Sequence, residues 1–153
     1  EQAVATVVRS RPDIVNHNLE TTESMYPKIK RPKKNYEQSL KVLQKAKELG
    51  AFTKSGLMVG LGEKEQEIVH AFFDLRRVSC DLLTIGQYLQ PSKTNAPVRK
   101  FYTPYEFERL RRLALNSGFR DVESGPLVRS SYKAHRMYES SQEDETRRKK
   151  CDI

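Results

Sequence analysis

A chain of 153 residues is the length of one domain, and 28 Lys and Arg against 20 Asp and Glu give a formal net charge of +8. That excess permits attraction to anionic partners without demonstrating it. Two cysteines (Cys80, Cys151) and three histidines (His17, His70, His135) lie far apart, which excludes a disulfide framework, a CxxC pair and a local zinc pattern, and no apolar run reaches membrane-spanning length.

Glu1 to Val8 reads as the end of a helix, broken at Arg11-Pro12, and this opening implies sequence upstream of Glu1. A strand near residues 13–18 starts at Ile14 and Val15, and polarity then changes abruptly at Asn16, His17, Asn18 and Glu20. In a parallel βα fold the end of a strand is where polar groups meet a ligand. A polar turn whose Asn side chains bond their own backbone fits equally well. Thr21 to Lys34 is basic and irregular, with Lys28, Lys30, Arg31, Lys33 and Lys34 interrupted by Pro27 and Pro32. It reads as a solvated loop or as a contact for an acidic partner. Tyr26 and Tyr36 are too sparse a platform for stacking single-stranded nucleic acid.

Asn35 opens the clearest helix, residues 35–49, as an N-cap with Gln38 three residues on. Tyr36, Leu40, Leu43 and Ala46 fall at helical spacing, and Gly50 supplies the stop. Thr53 to Gly62 follows, an apolar core from Leu57 to Leu61 set among Gly56, Gly60 and Gly62. A run without polar alternation reads as a strand buried on both faces, and its glycines admit a backbone or a flat ligand at close range. The spacing fits neither Gly-x-Gly-x-x-Gly nor a P-loop. A helix over 63–78 buries Ile68, Val69, Phe72 and Leu75, and Glu63 begins its acidic first turn. The strand near 81–88 ends in Gly86, Gln87 and Tyr88, with Gln90 just before Pro91.

Thr103-Pro104-Tyr105-Glu106 combines an N-cap, a first-turn proline and a capping-box glutamate, and Gly118 ends that helix. A short strand over 119–124 leads into Gly125-Pro-Leu-Val-Arg-Ser-Ser-Tyr132, where Arg129, Ser130 and Ser131 either hold an anion or cap the next helix. Residues 133–153 are charged and mixed in sign, a frayed helix or flexible tail. The alternation of elements places the chain in the α/β class with parallel pairing.

Four stretches then stand in order: Asn16-His-Asn-Leu-Glu-Thr21, Thr53-Lys-Ser-Gly-Leu-Met-Val-Gly-Leu-Gly-Glu63, Thr84-Ile-Gly-Gln-Tyr-Leu-Gln-Pro-Ser92 and Ser124-Gly-Pro-Leu-Val-Arg-Ser-Ser-Tyr132. Together, from about residue 4 to residue 134, they resemble lipoyl synthase, a family of radical S-adenosylmethionine (SAM) enzymes. The resemblance implies the second half of a partial (βα)6 TIM-like radical SAM barrel with a C-terminal helical extension. Residues 1–132 would form the half barrel and 133–153 the charged tail. The implied reaction inserts two sulfur atoms at C6 and C8 of a protein-bound octanoyl chain, with SAM and two [4Fe–4S] clusters as cofactors.

By the same resemblance SAM would meet Asn16, Asn18 and Glu20 on the barrel's fourth strand, Gly56 and Gly60 on the adenine-facing strand, and Gln87 on the sixth. Ser131, in the Arg-Ser-Ser-Tyr motif, would ligate the auxiliary cluster. The implied partners are an octanoylated lipoyl-carrier protein (the glycine cleavage H protein or the lipoyl domain of a 2-oxoacid dehydrogenase) and an electron donor. The compartment would be a bacterial cytoplasm or a mitochondrial matrix. The cysteine motifs of both clusters are absent and Cys80 and Cys151 match neither, so the chain alone is expected to be inactive. Thr22, Asn95 and Lys133 also depart from the residues common in the family. A reading from a different class is a non-catalytic βα module that binds an acidic protein or nucleic acid through Lys28 to Lys34.

Overall fold

The structure, a computed structural model, describes residues 2–141. Its elements in chain order are α1 (Gln2–Arg9), β1 (Val15–Asn16), a 3-10 helix (Glu23–Ile29), α2 (Lys34–Glu48), β2 (Thr53–Val59), α3 (Glu65–Arg77), β3 (Leu82–Gln87), α4 (Pro104–Asn116) and β4 (Asp121–Gly125). The strands form one open parallel sheet in the order β1-β2-β3-β4. This is the α/β architecture that alternating strand and helix patterns dictate, and it is consistent with part of a TIM-like barrel.

The two faces of the sheet differ. Leu57, Val59, Leu83, Ile85 and Val122 point toward the helices and join Leu40, Leu43, Ile68, Phe72, Leu75, Phe107, Leu110 and Ala114 in one buried cluster. Each large apolar side chain so buried contributes about 1.5–3 kcal/mol. Alternation puts Lys54, Gly56 and Met58 of β2 on the opposite face, beside Thr84 and Gly86 of β3. That face therefore carries polar groups and glycines where the first carries hydrocarbon.

At the N-terminal ends of the strands the buried Asp81 joins four groups. Its carboxylate accepts hydrogen bonds from Lys47 Nζ at 2.7 Å, Thr53 N–H at 2.8 Å and Thr53 Oγ1 at 3.0 Å, and pairs with Arg120 at 3.2 Å. One side chain thus ties α2, β2, β3 and the approach to β4 together.

Several boundaries differ from expectation for local reasons. The first strand shrinks to Val15–Asn16, followed by a single bridge between Glu20 and Leu57. The segment 21–34 is not irregular throughout. It contains a 3-10 helix that buries Met25 and Tyr26, with the Tyr26 hydroxyl donating to the Leu19 carbonyl at 2.5 Å. Helix α2 begins at Lys34, so Asn35 lies inside its first turn and does not cap it. β2 ends at Val59 because Gly60 turns the chain at φ +114°. Glu63 opens no helix: its carboxylate folds back to accept the Gly60 and Leu61 N–H groups at 2.6 and 2.8 Å, and α3 starts at Glu65. The capping box at Thr103 forms as its sequence dictates, Thr103 Oγ1 accepting from Glu106 N–H and Glu106 Oε2 from Thr103 N–H. Residues 134–141 are helical, with Met137 and Ser141 buried and Tyr138 edge-on to Phe52 at 5.2 Å. The rest of the charged tail lies outside the described residues.

Candidate functional site

The polar face of the sheet and the loop after β4 enclose an open cavity of about 310 Å³, lined by Asn18, Glu20, Gly56, Thr84, Gly86, Gln87 and the loop residues Val128 to Ser130. It lies at the C-terminal ends of the strands, where parallel βα folds place ligands, and its size is at the lower end of the ~300–1,000 Å³ of small-molecule sites.

Each wall has a local cause. Asn16 Nδ2 donates to Asn18 Oδ1 at 3.2 Å, so Asn16 stands behind Asn18 and steadies it. Glu20 sits at the mouth with φ +71°, an uncommon conformation for a glutamate and one that recurs at functional sites. Its N–H donates to the Gly56 carbonyl and its carbonyl accepts from Met58 N–H, while its carboxylate pairs with Arg31 at 3.5 Å. Gly56 is a requirement of space: a Cβ there would lie 2.9 Å from Asn18 Oδ1 and 3.1 Å from Thr84 Oγ1. Burial, then the charge of Arg31, hold His17 below the usual histidine range.

Two residues expected at the ligand also make contacts that hold a loop. Gln87 lines the cavity, but its amide is used in full: Nε2 donates to the Val59, Tyr88 and Lys100 carbonyls, and Oε1 accepts from Tyr102 N–H. Gly60 is not part of the cavity wall. A Cβ on Gly60 would overlap that same Gln87 amide and come within 2.6 Å of the Lys100 carbonyl oxygen. Both residues fasten the loop 89–101 to the sheet. Ser131 follows the cavity-lining Ser130, is exposed, and its hydroxyl has no hydrogen-bond partner among the described residues.

The wider surroundings complete the picture. Lys28, Lys30 and Arg31 flank a second groove that shares Glu20 and Met58 with the first cavity. Arg99 and Lys28 both approach Gly62. The 28–31 segment thus forms a lip beside the cavity. Cys80 is buried at the far end of the sheet, where burial and Asp81 push its thiol up to about 12. No cluster of three potential metal ligands occurs among the described residues.

A model of the radical SAM superfamily matches residues 1–75. Curated lipoyl synthases match most of the chain. That of Rubrobacter xylanophilus is 54% identical over 141 residues, covering 91% of this chain and 44% of the relative. That of Chlorobaculum parvum is 53% identical over 135 residues, covering 88% and 46%. That of Pyrobaculum calidifontis is 52% identical over 139 residues, covering 90% and 48%. Over about nine tenths of its length the chain is thus similar to lipoyl synthases, at about half identity. It spans under half the length of each of these three relatives.

The lipoyl synthase cofactors fit the residues present to different degrees. The cradle at Gly56, closed to any side chain and flanked by Asn18 and Thr84, suits a flat polar ligand such as SAM. For a cluster the described residues offer no accessible thiolate, since Cys80, the one cysteine among them, is fully buried.

Residues overlooked in the sequence include Glu63, Asp81 and above all Lys54. The signal for Lys54 is a lysine inside a strand that is otherwise buried, which demands a partner. Its side chain is fully buried, and Nζ donates to the Ser130 carbonyl and, at 3.4 Å, to Thr84 Oγ1. Desolvation lowers it to about 8. Between that value and the ordinary 10.5 the unfolded chain holds a proton that the folded chain has lost, so stability rises with pH through this window. The difference between wild-type and Lys54→Met denaturant melts from pH 8 to 10.5 is expected to change by about 1 kcal/mol per pH unit, while the Cys80 thiol contributes in the opposite sense above its ordinary 9.0 in both proteins.

Proposed function

We propose that this chain forms the SAM-facing and carrier-facing half of a lipoyl synthase, acting in the insertion of two sulfur atoms into a protein-bound octanoyl chain. The observation that carries the proposal is the cavity itself: Asn18, Glu20 and Gly56 on one side face the loop of Val128, Arg129 and Ser130 on the other. When bound, SAM and the two clusters supply the radical chemistry and the sulfur. The residues of this chain position and shield. Gly56 offers a flat wall to the adenine, Asn18 a polar side chain to the rest of SAM, and Glu20 a carboxylate at the mouth. Asn16 holds Asn18, and Gln87 with Gly60 holds the loop that covers the far side. Ser131 would hold the auxiliary cluster through an oxygen, a harder donor than thiolate sulfur and easier for iron to release.

The carrier would dock on the basic lip. Lys28, Lys30 and Arg99 have no ion pair among the described residues, and a cluster of cations at a cavity mouth attracts an acidic protein surface. The same lip would serve a non-catalytic module, but the identity to lipoyl synthases extends through the cavity walls and not through the lip alone. Relatives from bacteria suggest a cytoplasmic setting, and no helix among the described residues is long and apolar enough to cross a membrane.

The test is a chimera in which the segment of the Rubrobacter relative that this chain does not match is joined in frame to it. With octanoylated carrier peptide and SAM it is expected to form the lipoyl product, and Ser131→Ala to lower single-turnover yield at least a hundredfold. Normal yield from the Ser131→Ala chimera removes Ser131 from the reaction. A chimera that carries both clusters and cleaves SAM but never inserts sulfur refutes the assignment. By itself, the 153-residue chain is expected to hold no stoichiometric [4Fe–4S] cluster after anaerobic reconstitution, because two cysteines cannot supply the thiolates. Iron and sulfide assays check this.

A further inference from the structure

Lys54 stands apart from the chain's other lysines. Its amine lies within the sheet's polar face, and no carboxylate pairs with it among the described residues. Cys80 lies near, but a thiol pushed up to about 12 is neutral and offers no counter-charge. Burying an ammonium without an anion is costly, so its retention there needs a compensating bond. That bond is to the Ser130 carbonyl, 76 positions further along the chain.

The loop after β4 shows what the bond does. Val128 is seated on the sheet: its N–H donates to the Gly125 carbonyl at 3.1 Å, and its carbonyl oxygen occupies the space a Cβ on Gly86 would take. Lys133, at the other end, pairs with Glu123 at 3.4 Å. Between these anchors the Arg129 guanidinium turns back on the Val128 and Pro126 carbonyls, and Tyr132 N–H bonds the Arg129 carbonyl. Among the described residues, the Lys54 amine supplies the one hydrogen bond from the sheet to residues 129–132. Without it the stretch that carries Ser131 is fixed at its ends alone.

We propose that Lys54 is a positioning residue: it ties the Ser130 carbonyl to the sheet and thereby sets Ser131 over the cavity. The effect on loop order follows from geometry alone. Its consequence for the chemistry rests on the role proposed for Ser131. A buried ammonium one residue from the Ser131 hydroxyl also places positive charge beside any anionic group that this hydroxyl binds.

Hydrogen exchange read by mass spectrometry on the 153-residue chain tests the proposal. In Lys54→Met, peptides across 126–133 are expected to exchange at least tenfold faster, while those of β2 and β3 keep their protection. Lys54→Arg, which keeps a charged donor on a long stem, is expected to restore the loop to within threefold of wild type. Unchanged exchange in Lys54→Met overturns the proposal, and so does Lys54→Arg behaving like Lys54→Met. If Lys54→Met loosens the whole sheet, NMR of the wild-type chain decides. Slowly exchanging Lys54 Nζ protons with contacts to Ser130 and Ser131 are expected, and their absence overturns the proposal. None of these readouts involves a cluster or SAM. Failure of the chimera to make product therefore leaves the loop result standing, and failure of the loop result leaves the chimera's activity standing.

Discussion

Asp81→Ala is expected to lower the unfolding free energy by about 4 kcal/mol, most of the stability of a domain at the lower end of the ordinary range of about 5–15 kcal/mol. The carboxylate is almost fully buried and binds Lys47, Arg120 and both the N–H and the hydroxyl of Thr53. Removing it leaves the Thr53 N–H without an acceptor, sets two cations near each other with no anion between them, and opens a gap where α2 meets β2 and β3. Taking one partner out of a buried ion pair costs about 3–5 kcal/mol, because the remaining charge is left uncompensated. Asp81→Asn keeps the shape and one acceptor oxygen and is expected to cost about half as much. Urea titrations followed by far-UV circular dichroism measure both. A loss under 1 kcal/mol for the alanine variant would show that water replaces the carboxylate freely.

Gly60→Ala is expected to cost about 3 kcal/mol, set against about 1 for Gly62→Ala. Both glycines have positive φ, +114° and +102°, and in both a side chain imposes backbone strain. Only at Gly60 does the new methyl group meet something rigid. It overlaps the Gln87 amide and approaches the Lys100 carbonyl oxygen, whereas the nearest atoms at Gly62 are Arg99 side-chain carbons at 3.4 Å or beyond. Displacing Gln87 also releases the three carbonyls and one N–H that its amide holds, so loop 89–101 is expected to loosen with it. Thermal melts of the pair separate strain from overlap. Equal losses in the two variants would mean that Gln87 yields without penalty.

The helices and the two central strands were legible in the sequence because burial writes itself as periodicity. The stripe of Leu40, Leu43 and Ala46 and the run from Leu57 to Val59 needed no structure to be read. The Thr103 capping box was legible for the same reason: its atoms are neighbours in sequence. The less legible features were long-range or side-chain-to-backbone bonds. Glu63 looks like a helix-opening acid until its carboxylate is seen closing the Gly60-Leu61 turn. Gln87 looks like a ligand-facing amide until its four backbone partners are counted. Lys54 is invisible as an anchor because Ser130 is so distant along the chain. Asn18 and Glu20, just after β1, come together with Gly56, inside β2, because the two strands are neighbours in the sheet.

The contrast between the two faces of the sheet bears on how this chain behaves in a test tube. A half barrel cut from a whole one would ordinarily expose an apolar slab and cling to its own kind. Here the open face carries Asn16, Thr84 and Glu123, with glycines between them, and most of the sheet's apolar side chains, Leu57, Val59, Leu83, Ile85 and Val122, lie beneath the helices. Of the sheet's two free edges, β1 offers a ladder of only two residues to a passing strand and β4 one of five. Wetting that face sacrifices little hydrocarbon contact, and a surplus of positive charge keeps copies apart. The polarity that suits this face to the ligand proposed for it therefore also acts as protection against clumping while the face stands open.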